Sequence, residues 1–387
     1  MVRRVSGLQT SSGCRCHSVV SSRIRLVLVS LSIFLFTPLS FSQISLGLYE
    51  GLMGNSGTAL THSTAPSFYN PSLLHRKKKD SYSLSGNTLG GYSSRSENTN
   101  ITSFSLTPSY LSTIIVGDAL VHELFIANRN PSQLKIVSHT STPTETTTRE
   151  STLDISNFLF GYSMSFKSVP FALSYFGEFN QTSGVGFVES TTLNSNARSV
   201  TEIKHNFMSI GTGISLSGHN SFDHYSLGYH FKSRQIILYK KDEDKLSTYV
   251  HGGNSATDYS KIESLATNQN QVSNGSSLMI GHGFQIGDHE FVTDTQFYES
   301  SALKYSYSTR QTFGYRLNST QGHQFLCGLS HLLGPQVNYF GQDTYYSAGY
   351  SWLTRGLRSI FGTYVYSSKI GQDVFAAGLT FGSEFSY

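Results

Sequence analysis

From residue 81 to the last residue, apolar and polar side chains alternate with a period of two. In the final segment, Phe375, Ala377, Leu379, Phe381, Phe385 and Tyr387 alternate with Val374, Ala376, Gly378, Thr380, Gly382, Glu384 and Ser386. One face is greasy and aromatic, the other small or polar, as expected of a strand between hydrocarbon and water. The same rhythm recurs in Phe158, Phe160, Tyr162, Met164 and Phe166 and in Tyr225, Leu227, Tyr229 and Phe231. It returns in Tyr305, Tyr307, Phe313 and Tyr315 and in Tyr346, Ala348, Tyr350 and Trp352.

Turn residues divide the region into about fourteen strands, at 81–92, 102–112, 118–128, 153–166, 170–181, 203–218, 223–240, 275–286, 289–299, 303–316, 322–332, 344–353, 358–368 and 373–387. The connections after the third, fifth, seventh and eleventh strands (129–152, 182–202, 241–274, 333–343) read as long loops. Those after the fourth, sixth, eighth and twelfth are tight. Short turns on one rim and long loops on the other are expected of a transmembrane antiparallel β-barrel, with both termini on the short-turn side. A soluble β-sandwich or propeller also shows period two. Its strands average about five or six residues, shorter than these, and no repeat at blade spacing occurs.

Charge sharpens the picture. Arg or Lys on a lipid face at mid-bilayer costs about 2–4 kcal/mol. Glu178, Lys232, Arg234, Asp294, Arg310 and Glu384 all take the non-aromatic phase. Lys204 does not, but it stands at a strand end, where a long side chain can reach water. Charged residues make up 13% of the chain and aromatics another 13%, against about 25% charged in ordinary soluble domains.

Residues 1–42 read as a secretory signal peptide: Arg23 and Arg25, an uncharged run from Leu26 to Phe36, then Ser40-Phe41-Ser42 before Gln43. The run is too short to span a bilayer as a helix. Residues 1–42 carry five Arg and no acid, so the remainder has 23 basic and 24 acidic residues. The formal charge of +4 therefore does not belong to the mature chain, and nucleic-acid binding loses its electrostatic support. Cys327 is alone after the leader, read as a small wall residue.

Residues 43–80 differ from the rest of the chain. The stretch Gly54–Leu74, GNSGTALTHSTAPSFYNPSLL, resembles the N-terminal signature of the outer-membrane long-chain fatty-acid transporter family. There a Gly- and Ala-rich segment leads into Asn-Pro-Ala and an apolar residue ahead of the first strand; here Ser72 replaces the Ala. The resemblance implies a fourteen-strand barrel with an N-terminal hatch. It also implies passive transport of fatty-acid-like or hydrocarbon molecules and a bacterial outer-membrane location. It names Asn70, Pro71 and Leu73 as the hatch motif. Physical reasoning agrees, because eight strands already suffice for a packed interior and a wider barrel must be plugged or left open. The chain then divides into three regions: 1–42 leader, 43–80 hatch or plug, 81–387 barrel. Asn70-Pro71 would turn the chain where plug meets wall, or mark an ordinary turn before a strand. Ile44, Leu46 and Leu48 would reach a lumenal pocket or form a loose tail. The basic run from His75 to Lys79 reads as a solvated turn at the rim.

No catalytic constellation, cofactor motif or metal-ligand spacing is expected. Thirteen His come after the leader, without H-E-x-x-H. His282 and His331 fall on apolar phases and read as girdle residues. The pairs Gly211/Gly213 and Gly281/Gly283 lie in strands and open no helix, so they read as small wall residues where the hatch approaches. Lumen-phase Lys232, Arg234 and Arg310 could neutralise a ligand carboxylate, or could pair with Glu178, Asp294 and Glu384. The expected partners are outer-membrane lipid, a hydrophobic small-molecule ligand, periplasmic chaperones and the barrel-assembly machinery, with no nucleic acid. Other readings are a surface adhesin or secretion-associated platform, which polar loops would suit, and a general diffusion pore.

Overall fold

A computed structural model describes Gly47 and most of residues 49–386; the interruptions fall at 97–98, 103–104, 129–131, 142–144, 193–196, 252–258, 268–274, 300–306, 320–321, 334–342 and 370–372. The leader and Ile44, Leu46 and Leu48 lie outside the described residues. The strands are β1 Ser81–Ser96, β2 Thr99–Thr102, β3 Ser105–Val116, β4 Leu120–Asn128, β5 Ser132–Ser141, β6 Glu145–Phe166, β7 Phe171–Thr192, β8 Ala197–Phe222, β9 Tyr225–Lys232, β10 Ile236–His251, β11 Tyr259–Thr267, β12 Ser277–Ile286, β13 His289–Glu299, β14 Tyr307–Asn318, β15 His323–Leu333, β16 Asp343–Thr354, β17 Leu357–Lys369 and β18 Asp373–Ser386.

Fourteen of these close a ring. β1, β3, β4, β6, β7, β8, β9 and β12 through β18 each pair antiparallel with the next. β18 returns to β1, from Ser81 opposite Ser386 to Ser94 opposite Val374. Closure removes the free edges at the two ends of the fourteen-strand sheet, as β-structure in hydrocarbon requires.

Exposure runs opposite to that of a soluble β-protein. Phe160, Phe313, Phe361 and Phe381 are 45, 47, 51 and 40% exposed, whereas Glu178 and Asp294 are 1 and 2% exposed. The aromatic faces therefore point out of the ring and the polar faces into it, which rules out the sandwich. β9 keeps the expected phase residue by residue: Tyr225, Leu227, Tyr229 and Phe231 are exposed, Ser226 and His230 buried.

Among the described residues, one rim carries short turns at 117–119, 167–170, 223–224, 287–288 and 355–356. Asp223 and Arg355 take left-handed φ of 43° and 49° there, and Gly356 comes next at 85°. Four His–Tyr pairs ring the outer surface near this rim. His122 Nδ1 lies 2.6 Å from the Tyr162 hydroxyl and His289 Nδ1 2.8 Å from that of Tyr315. Tyr225 pairs with His282, and Tyr350 with His323. Amphipathic rings at this level form an interfacial girdle.

The opposite rim differs from expectation. Most of the connections read as long loops are extended hairpins. β7 and β8 stay paired from Phe171 opposite Gly218 to Thr192 opposite Ala197. β5 returns along β6, and β11 along β10. Beyond the bilayer both faces of a hairpin meet water, so the period-two signal vanishes while backbone pairing continues. The seventh strand, read as 223–240, is interrupted instead: β9 ends at Lys232 and β10 begins at Ile236.

Candidate functional site: a segment enclosed by the barrel

Residues 49–76 lie inside the ring. The chain makes a helical turn at Tyr49–Leu52, another at Pro66–Tyr69 and a 3-10 helix at Pro71–Arg76. Proline opens both of the latter, where its missing N–H costs nothing. Tyr49, Leu52, Met53, Ala59 and Leu60 pack against wall residues Val292, Leu326 and Ile360. Ala65, Phe68 and Tyr69 pack against Tyr110, Phe125, Ala127, Leu159 and Phe176. Leu74 meets Ile114 and Val121. The lumen face of the wall is therefore apolar where the segment rests on it.

Polar contacts fix the rest, and wall carboxylates supply most of them. Asp294 Oδ2 accepts from the backbone N–H of Gly57 (2.7 Å) and Thr58 (2.9 Å). Glu290 Oε1 accepts from the N–H (2.9 Å) and hydroxyl (2.8 Å) of Thr61. Glu123 accepts from Ser67 N–H at 3.0 Å, from the Ser67 hydroxyl, and from the Tyr110 hydroxyl at 2.9 Å. Glu384 receives Lys77 at 2.5 Å and His62 at 3.1 Å. A short segment with little regular structure leaves many N–H groups without backbone partners, and a buried orphan costs about 1–3 kcal/mol. Carboxylates in the wall answer that need. Inside the segment, Glu50 accepts from Ser63, from Thr64 N–H at 2.9 Å and from the Thr64 hydroxyl at 2.8 Å.

Asn70 is fully buried. Its Nδ2 donates to Thr58 O at 2.6 Å and to wall residue Gly218 O at 3.2 Å, and its Oδ1 accepts from Ser72 N–H at 3.1 Å. Pro71 begins the 3-10 helix, and Leu73 is buried. Asn70 thus ties two parts of the segment to each other and to the wall, more than a local turn requires. Ser72 donates from its N–H to Ser217 Oγ at 2.9 Å.

The three cations are not gathered into one site. Lys232 Nζ stands 4.1 Å over the Phe68 ring. Arg310 is buried in β14. Arg234 is largely exposed, pairs with Glu299, and lies in the break between β9 and β10. Gln235, not Arg234, takes the buried position and bonds Glu178. The alternation slips by one residue at this break, which strict phase counting cannot see. The partners expected for the cations, Asp294 and Glu384, hold the N-terminal segment instead.

Of the glycine pairs, Gly281 and Gly283 do face the segment: a Cβ there would come within 2.8 Å of Thr58 Cβ and of Ala59 O, respectively. Gly211 and Gly213 face wall side chains Gln235 and Phe176. Gly328 makes a closer approach, against the backbone of Met53 and Gly54. Glu50, Glu123 and Glu290 do not stand out in the sequence. Glu123 leaves a trace, since Leu124 and Ile126 take the exposed phase around it.

Among the described residues, the wall is incomplete at one place. β9 pairs with β8 on one side and β12 on the other. Beyond the break, β10 pairs with β8 from Ile236 onward, but β11 joins its other edge only at Glu243. Ile236 and Leu238, 68 and 64% exposed, flank this stretch.

No family model and no curated protein sequence matches the chain. Solved structures do. The toluene transporter TbuX of Ralstonia pickettii aligns with a TM-score of 0.64 at 10% identity, over 90% of this chain and 100% of that one. A Pseudomonas aeruginosa FadL homologue gives 0.61 at 11% identity, over 89% and 98%. The CymD monoaromatic hydrocarbon channel gives 0.60 at 10% identity, over 90% and 99%. The chain shares the barrel fold of these transport proteins. With its closed ring and apolar belt it is a transmembrane β-barrel.

Proposed function

We propose that this barrel admits hydrophobic or amphiphilic small molecules across the bacterial outer membrane without energy input, with residues 43–80 as its hatch. The observation that carries the proposal is the hold on the N-terminal segment: it packs against the lumen face of the wall, and wall carboxylates bond it there. Neighbours of the same fold that carry toluene and other monoaromatic hydrocarbons support the substrate class. A general diffusion pore fits a lumen that holds a docked segment poorly. The edge of β10 at Ile236–Asp242, which has no strand partner on that side among the described residues, offers a lateral route from the lumen into the bilayer, lined at its outer lip by Ile236, Leu238 and Tyr239. The short-turn rim is assigned to the periplasm and the hairpin rim to the cell surface.

The test is uptake of radiolabelled toluene and of labelled oleate by cells lacking the gene, with and without the restored protein. Faster uptake of either on restoration is expected. Equal uptake of both would remove the transport reading and leave a surface platform, which the polar hairpins would serve.

A further inference from the structure

β8 and β10 bring three potential ligands together at the hairpin end of the wall. His205 on β8 stands directly opposite Asp244 on β10, and Asp242 is opposite Phe207 two positions away. The two acids come 37 and 39 residues after His205 in sequence, so no spacing motif announces them. His205 Nδ1 and Asp244 Oδ1 are 2.6 Å apart. One ligand atom from each of the three lies within 4.8 Å of the others. Asp242 is only 5% exposed, and its Oδ1 has no hydrogen-bond partner. A buried carboxylate oxygen without a donor is costly, and this one sits beside an imidazole and a second carboxylate.

We propose that His205, Asp242 and Asp244 bind one divalent first-row transition ion of the zinc type. Nitrogen from one imidazole and oxygen from two carboxylates form a ligand set for such ions. Around a tetrahedral ion with bonds of about 2.1 Å the ligand atoms stand roughly 3.4 Å apart. The His205–Asp244 pair therefore opens by less than an ångström on binding. The fourth position is left for water on the side of Asp244, the most exposed of the three. Lys240 Nζ approaches the other oxygen of Asp242, Oδ2, at 3.7 Å. It offsets part of the negative charge without occupying Oδ1. The ion would tie β8 to β10 at the level where β11 begins to pair with the other edge of β10. Such an ion site is independent of the transport reading.

The test is titration of the detergent-solubilised full-length protein with Co2+ and Zn2+, with folding checked by heat-dependent gel migration. The wild type is expected to bind one Co2+ per chain with a visible d–d absorption, displaced by Zn2+. His205→Ala, Asp242→Asn and Asp244→Asn are each expected to weaken binding at least about ten-fold, since even outer-shell changes cost that much. Zn2+ should raise the thermal unfolding temperature of the wild type and leave that of His205→Ala unmoved. A wild type without saturable binding overturns the proposal, whatever the variants do. So does any folded variant that binds as the wild type does.

Discussion

The carboxylate of Asp294, in the wall, accepts a 2.7 Å hydrogen bond from the backbone N–H of Gly57, in the segment it encloses. The same oxygen also takes Thr58 N–H. One side chain therefore satisfies two N–H groups that no secondary structure serves. Asp294→Ala is expected to leave the barrel closed and to weaken docking of the segment by about 1.5–3 kcal/mol, the range for hydrogen bonds to a charged group. Limited proteolysis of the folded protein checks this: cleavage within 49–66 should quicken in the variant. Equal rates would show that Asp294 does not hold the segment.

Asn70 should not tolerate its acidic isostere. Nδ2 donates to two carbonyls, Thr58 O and Gly218 O. An ionised Asp at that place has nothing to donate and presents a buried charge to two acceptors. Asn70→Asp is expected to destabilise docking more than Asn70→Ala, which should cost about 2 kcal/mol. Protease susceptibility of the two variants, ranked against the wild type, is the measurement. The reverse ranking would contradict the reading of the donor bonds.

Gly328 lies so close to the backbone of Met53 and Gly54 that an added methyl group collides with main chain, not with a movable side chain. Gly328→Ala is expected to displace the segment while the wall, whose strand pairing tolerates alanine, still forms. Ion conductance in planar bilayers should rise. A folded variant as silent as the wild type would show that the approach can relax.

His75 gives the docked segment a pH dependence. Burial lowers its pKa from 6.5, and the nearby Arg76 lowers it further, while its bond to Ser72 O opposes the shift. The docked state therefore holds the neutral ring, and the undocked state takes up a proton first. Docking is unaffected above about pH 6.5 and weakens as pH falls below it. Proteolysis of the segment at pH 5.5 and 7.5 reads this out, and His75→Gln should reduce the difference. A wild type that docks more firmly at the lower pH would contradict the sign.

The outer belt is expected to resist charge. Phe313 projects from mid-barrel and is 47% exposed. Phe313→Arg should cost about 2–4 kcal/mol of folding in lipid vesicles. Little or no cost would mean that Phe313 does not face hydrocarbon.

How much of this was legible in the sequence depended on which physical contrast each residue met. Inside the bilayer, neighbouring positions face hydrocarbon and water alternately, so Tyr225 to Phe231 declared their strand and their phase. Above it, the continuation of β7 and β8 is rich in Ser, Thr and Gly, and composition alone makes this pairing look like a loop. The break at 233–235 was hidden because it shifts phase without changing residue types. Asn70, Pro71 and Leu73 were visible through a resemblance, but what Asn70 binds was not, since Gly218 lies 148 residues away. Glu123, Glu290 and Asp294 act on backbone N–H groups, which carry no sequence signal.

Closure of the lumen by residues 49–76 is what the transport reading requires above all. Single-channel recording of the intact protein in a planar bilayer, beside a variant lacking residues 49–74, measures it directly. The intact protein should show no steady ionic current and the deletion a large, stable conductance; a wide open current from the intact protein would contradict that closure.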